Sequence, residues 1–166
     1  RALRGGDARK ALECEWLMPG GADVRSAVQA EWCRLLARAA GGQGMEGGQG
    51  IDLASVGKPL SETELRGMHE RKTGALLQAS VRMGAACGSA VTPAARAALD
   101  DFGAVIGLAF QVVDDILDVT ADSAELGKNA GQDAAADKPT YVSLLGLPAA
   151  QDLADALCRQ DHAALE

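Results

Sequence analysis

Apolar residues in the middle of the chain recur every three or four positions. Leu99, Phe102, Ile106, Phe110, Val113 and Leu117 form one such stripe, the signature of a helix with one apolar face, sustained to about Val119. Thr92 precedes it as a cap and Pro93 takes the first helical position, where a missing N–H does no harm. Upstream, Ser61-Glu62-Thr63-Glu64 is a capping box, in which Ser61 and Glu64 each satisfy the other's backbone N–H. A long helix follows it to about Cys87. Residues 8–18 read as a helix end that stops at Pro19-Gly20-Gly21. Asp23 can cap a helix over about 24–40, with Val28, Leu35 and Leu36 on its apolar side.

Other stretches break the pattern. Six glycines within 41–50 predict a loop, since each interior Gly costs a helix about 1 kcal/mol; the alternative is a helix kept slim so that another backbone or a ligand can approach. Lys58-Pro59-Leu60 is a connector, and residues 120–138, rich in Asp, Gly and Lys, form a loop. Pro139 opens a short helix, and a last helix runs from Pro148 to the end. No strand signal and no internal repeat is found. Residues 1–166 therefore read as a single all-α domain.

Composition supports this reading. Hydrophobic residues make up 48% of the 166 positions and aromatics 3%, so the core is built from Ala, Leu and Val on packed helices. The net charge of −7 argues against nucleic acid as a partner. No segment reaches the roughly 18 apolar residues of a membrane span. Cys14, Cys33, Cys87 and Cys158 are far apart and away from His69 and His162, which predicts neither a zinc site nor a disulfide framework, and a reducing, cytoplasmic setting.

The chemistry concentrates in Gln111-Val112-Val113-Asp114-Asp115-Ile116-Leu117-Asp118. On a helix Asp114 and Asp118 share a face, with Cβ atoms about 5–6 Å apart, and Gln111 lies one turn earlier. Carboxylates this close repel one another unless a cation sits among them. Hard oxygen ligands with open positions suit Mg2+ completed by water and phosphate oxygens. A solvated acidic helix end is the alternative that spacing alone leaves open. Lys72-Thr73-Gly74 offers an ammonium and a hydroxyl beside a glycine. Gly127-Lys128 and Lys138-Pro139-Thr140-Tyr141 follow the acidic cluster. Carboxylates for a metal and lysines for the same phosphate make a clamp for a departing diphosphate; an ordinary charged loop is the plainer reading.

Taken in order, several segments resemble the all-trans polyprenyl diphosphate synthases of the farnesyl/geranylgeranyl type. They are Gly44 to Leu53 (GMEGGQGIDL), Lys72 to Leu76 (KTGAL), Gly107 to Asp118 (GLAFQVVDDILD), Leu126-Gly127-Lys128 and Lys138 to Tyr141 (KPTY). The resemblance implies an antiparallel helical bundle around a central cavity, and it turns the Gly-rich segment into a helix lining that cavity. It implies Mg2+-assisted ionisation of an allylic diphosphate and condensation with isopentenyl diphosphate. Asp114, Asp115 and Asp118 then form an aspartate-rich metal motif, with Asp114 the most direct ligand and Asp118 acting through water. Lys72, Lys128 and Lys138 contact the diphosphate. Thr73 and Gln111 line the reacting centre, Gln49 and Asp52 belong to the cavity wall, and Phe110 serves packing on that wall. The family's members are usually homodimers.

The pattern also departs from that family. Its members carry two aspartate-rich motifs on facing helices, and this chain has one. The other motif, the arginines after it and the basic residues for isopentenyl diphosphate would lie before Arg1, and the family's last helices after Glu166. The chain is then expected to be an incomplete prenyl synthase domain, with little or no activity alone. The rival expectation is a non-catalytic helical subunit or scaffold of a heteromeric synthase. Terpene cyclases, which want Ser or Thr at the fifth motif position and Glu four residues on, fit less well, because Asp118 and Asp122 stand there.

Overall fold

The computed structural model describes residues 12–18, 24–88, 91–120 and 138–163. Among them every regular element is helical. Residues 12–17 form a helical stretch. After it come α1 (Ser26–Ala40), α2 (Met45–Ala54), α3 (Glu62–His69), a π-helical turn (Glu70–Gly74), α4 (Ala75–Cys87), α5 (Pro93–Thr120), α6 (Tyr141–Leu145) and α7 (Leu147–Ala163).

Local chemistry accounts for most of the boundaries. The Ser61–Glu64 capping box forms as expected, with the Ser61 N–H donating to Glu64 Oε2 at 2.9 Å. The Ala95 N–H donates to Thr92 Oγ1 at 3.2 Å. Arg25 precedes α1 without a side-chain cap, and Asp23 lies outside the described residues. Pro139 does not open α6. That role falls to Thr140, whose hydroxyl accepts from the Ser143 N–H while Ser143 Oγ accepts from the Thr140 N–H, a second capping box. The sequence signal for it, two hydroxyls three apart, is weaker than one containing Glu.

The long helix expected from 61 to about 87 is one rod with a widened turn. Glu70 and Gly74, its junction residues, keep right-handed helical geometry, so the rod passes through the π turn without breaking. Such single turns inside α-helices collect at functional sites. The loop expected for 41–50 is a turn only through Gly44, and the rest is α2. Packing overrode propensity here. Gly48 lies against the backbone of Lys72, where a Cβ would collide with the Lys72 nitrogen. On the other side of the π turn, a Cβ on Gly107 of α5 would stand 2.7 Å from Gly74 Cα. Two glycines thus let α2 and α5 close on the π turn from opposite sides.

The main core joins α3, α5, α6 and α7 through Leu65, Met68, Val105, Leu108, Val112, Tyr141, Ala150, Ala154 and Leu157. Burying each large side chain contributes about 1.5–3 kcal/mol. The expected apolar stripe of α5 does not face this core. Leu99, Phe102 and Ile106 are half-buried, while Val113 and Leu117 are exposed and Phe110 is 58% exposed. Phe110 therefore faces largely outward. The helix is apolar on two sides, and Val105, Leu108, Ala109 and Val112 supply the buried one. On the far side of α4, Trp32 Nε1 donates to Met83 O at 3.0 Å and docks α1. Arg82 pairs with Asp100 at 2.5 Å and ties α4 to α5.

Candidate diphosphate and metal site

Lys72 leaves the π turn with its ammonium 2.7 Å from Asp52 Oδ2. Lys138, just ahead of α6, reaches the same oxygen at 3.7 Å. Asp52 is 3% exposed and sits on α2, one turn beyond Gly48. The close approach that Gly48 permits therefore brings Asp52 and Lys72 together. Asp52, a minor wall residue on sequence grounds, is the point where two lysines from distant segments converge. Each lysine side chain is about 30% exposed.

Next to Lys72, Thr73 Oγ1 donates to Gln111 Oε1 at 3.2 Å. Gln111 Nε2 donates to Asp115 Oδ1 at 2.8 Å. Asp115 Oδ2 accepts from the Tyr141 backbone N–H at 2.7 Å. The chain of bonds thus joins the π turn, α5 and the start of α6. Asp115 is 2% exposed, and these two bonds turn both its oxygens into the protein. Asp118 is equally buried, and Asp114, on the adjoining face of α5, is half-buried. Gln49 and Phe110 are exposed. Lys128 lies outside the described residues.

Two residues that the sequence reading passed over complete the cluster. His69, one turn before Lys72, is buried and stacks on Tyr141 with ring centroids 5.8 Å apart. Burial, aided by the Lys72 charge, pushes its pKa down to about 4, although Asp52 and Asp114 pull the other way. The imidazole is therefore neutral near pH 7. Burial likewise pushes the Tyr141 phenol up to about 12. Among the described residues neither His69 nitrogen nor the Tyr141 hydroxyl meets a hydrogen-bond partner, and the two rings meet through a largely apolar contact. The signal available in the sequence was a lone His at i−3 from the Lys-Thr pair and the chain's single Tyr.

Among the described residues no three His, Cys, Asp or Glu side chains converge to hold an ion by themselves. That donor set does fit Mg2+, which keeps water and takes one or two carboxylates plus substrate phosphates. It does not fit zinc in a closed protein cage.

Fold and site together define an all-helical protein with a lysine-and-carboxylate cluster suited to a metal-bridged diphosphate. The family model for polyprenyl synthetase matches residues 17–165, and the chain belongs to that family. It is 53% identical over 129 residues to a Bradyrhizobium diazoefficiens protein named "Probable farnesyl diphosphate synthase", covering 76% of this chain and 39% of that one. Against the farnesyl diphosphate synthase of Haemophilus influenzae it is 40% identical over 166 residues, 99% of this chain and 56% of the relative. The crystal structure of a Helicobacter pylori geranyltransferase complexed with magnesium and isoprenyl diphosphate superposes with a TM-score of 0.86 at 34% identity. That match covers 96% of this chain and 51% of the other. The chain thus spans about half the length of the relatives it matches.

Proposed function

We propose that this chain carries the diphosphate-holding wall of a short-chain prenyl diphosphate synthase. In that reaction the C–O bond of an allylic diphosphate breaks and pyrophosphate leaves. The double bond of isopentenyl diphosphate attacks the resulting cation, a C–C bond forms, and a proton is lost to the released pyrophosphate. Negative charge grows on the leaving group and positive charge on the carbon, so the wall must serve both. The observation that carries this reading is the convergence of Lys72 and Lys138 on Asp52, next to the Thr73–Gln111 pair. In this reading Lys72 and Lys138 serve the growing pyrophosphate charge, and Lys128 joins them on the strength of the resemblance. Thr73 and Gln111 offer neutral oxygens to the cation.

Asp114 is the side chain for direct contact with Mg2+, and Asp118 acts through water. Asp115 belongs to the same motif, but its hydrogen bonds favour an internal role. Bound Mg2+ supplies charge neutralisation for the leaving diphosphate. The Helicobacter geranyltransferase bound to magnesium and isoprenyl diphosphate supports that choice of ion. Four free cysteines suit a reducing, cytoplasmic setting, and a homodimer is the assembly proposed. No helix among the described residues is long and apolar enough to cross a membrane.

Calorimetric titration of the chain with inorganic pyrophosphate, with and without Mg2+, tests the reading. Binding should require Mg2+ and weaken at least tenfold in Asp114→Ala and in Lys72→Ala. Binding that ignores Mg2+, or no binding at all, overturns it. The chain alone, given Mg2+, an allylic diphosphate and labelled isopentenyl diphosphate, should form little or no product. Efficient product formation would show that a second acidic wall is not needed.

A further inference from the structure

Direction, as well as position, is fixed in the chain of hydrogen bonds from Tyr141 to Thr73. A backbone N–H can only donate, so Asp115 Oδ2 can only accept from Tyr141. Asp115 Oδ1 faces Gln111 Nε2, a second N–H donor, so the carboxylate accepts on both sides. A carboxamide that gives its NH2 to Asp115 must turn its carbonyl to Thr73. The 3.2 Å contact between Thr73 Oγ1 and Gln111 Oε1 holds one proton, and only the threonine can provide it. Thr73 therefore directs its hydroxyl proton at Gln111 and leaves its lone pairs for whatever else approaches. The far end of the chain is firmly seated: Tyr141 is 1% exposed, stacked on His69 and preceded by the Thr140–Ser143 box.

We infer that Asp115 is a positioning residue. Its carboxylate sets the polarity of the Gln111–Thr73 pair, so that Thr73 presents oxygen lone pairs rather than a proton to a cation forming beside Lys72. The consequence for the cation rests on the prenyl-transfer reading; the polarity itself does not. Asp115→Asn keeps the shape and reverses the sense. Its carbonyl must stay on the Tyr141 N–H, so its NH2 faces Gln111. The Gln111 carboxamide then turns over, donates to Thr73, and drives the threonine proton outward.

Nuclear Overhauser spectra of the labelled 166-residue chain read the polarity directly. In the native chain the Gln111 side-chain amide protons should show a cross-peak to the Tyr141 backbone amide proton. In Asp115→Asn they should shift to the Thr73 methyl group. Native amide protons on Thr73, or an unchanged pattern in a folded Asp115→Asn, overturns the inference. A second arm uses two probes of equal shape in the presence of Mg2+: a prenyl diphosphate analogue with an ammonium at the cation position, and its neutral counterpart. The native chain should bind the ammonium form at least tenfold more tightly. Asp115→Asn and Thr73→Val should abolish that preference, and Thr73→Ser should retain it. A preference that survives Asp115→Asn overturns the inference. Should Asp115→Asn not fold, the native spectrum and the threonine variants decide. Failure of the native chain to bind pyrophosphate with Mg2+ overturns the proposed function instead, and the spectra still decide the polarity.

Discussion

Gly107→Ala and Gly84→Ala add the same methyl group to helix interiors, and the structure predicts opposite signs for them. Alanine is the better helix former by about 1 kcal/mol. At Gly84 a Cβ meets nothing within 4 Å, so the full propensity gain should appear. At Gly107 the new Cβ would stand 2.7 Å from Gly74 Cα, with further backbone atoms of Gly74 at 3.6 and 3.7 Å. Backbone cannot rotate aside as a side chain does. Overpacking of this kind costs about 1–3 kcal/mol, and pushing the π turn away from α5 also stretches the Thr73–Gln111 bond. With rigid backbone inside 3 Å the upper part of that range applies, about 2–3 kcal/mol, and subtracting the propensity gain leaves Gly107→Ala destabilised by about 1–2 kcal/mol. In a domain of this size each kcal/mol moves Tm by about 2–4 °C. The two variants should therefore melt roughly 4–12 °C apart, with the native chain between them. Urea titration with unchanged slope would confirm that stability alone has moved. Two variants shifted in the same direction would refute the close packing of α5 on the π turn.

His69 gives a pH signature. Its folded pKa of about 4 lies below the ordinary histidine value of 6.5, so between those values the unfolded chain binds the extra proton and stability rises with pH. The contribution is complete above pH 6.5 and lost as pH falls towards 4. It is on the order of 3 kcal/mol, readable as urea midpoints at pH 5 and pH 7. His69→Phe keeps a ring on Tyr141, removes two buried unpartnered nitrogens, and should flatten that slope without lowering stability at pH 7. Tyr141→Phe should change stability by less than about 1 kcal/mol, because among the described residues its buried hydroxyl has no partner to lose; a larger loss in thermal melts would reveal one. Lys72→Met removes the nearer cation from a buried carboxylate and should cost about 1–3 kcal/mol. Adding Asp52→Asn to it should recover part of that loss in the same melts.

Much of the site was legible from the chain alone, and the parts that were not share a physical cause. Lys72, Thr73 and Gln111 could be marked because the resemblance singles out their motifs, and the structure brings Thr73 and Gln111 together next to Lys72. Lys138 belongs with them, since an ammonium near an acidic cluster invites the same reading wherever it sits. Asp52 was undervalued because its importance depends on which distant residues reach it, and that is decided by Gly48, a residue with no side chain to advertise the contact. Two of the glycines that opposed a helix at 45–54 by propensity, Gly47 and Gly48, are ones that packing requires, whereas a Cβ on Gly50 would meet nothing. His69 and Tyr141 were missed because their role is apolar, contrary to their polar atoms. The Thr140–Ser143 box was hidden behind Pro139, the stronger local signal.

The misread face of α5 follows from the limits of periodicity. A stripe at three- and four-residue spacing reports that a helix has an apolar side, but says nothing about how many such sides it has. In α5 the stripe through Phe110, Val113 and Leu117 and the buried face through Val105, Leu108 and Val112 lie on opposite flanks. Gln111, Asp114, Asp115 and Asp118 occupy the sector between them. Each carboxylate is thereby bordered by apolar surface, and protein packs over the flank nearest Asp115. Low polarity around a carboxylate strengthens its attraction for a cation and its need for hydrogen bonds. Asp115 meets that need within the fold, through Gln111 and Tyr141, whereas Asp114 lies nearer the exposed flank. One helix can therefore divide adjacent acids between two tasks, according to how far each is turned from the protein interior.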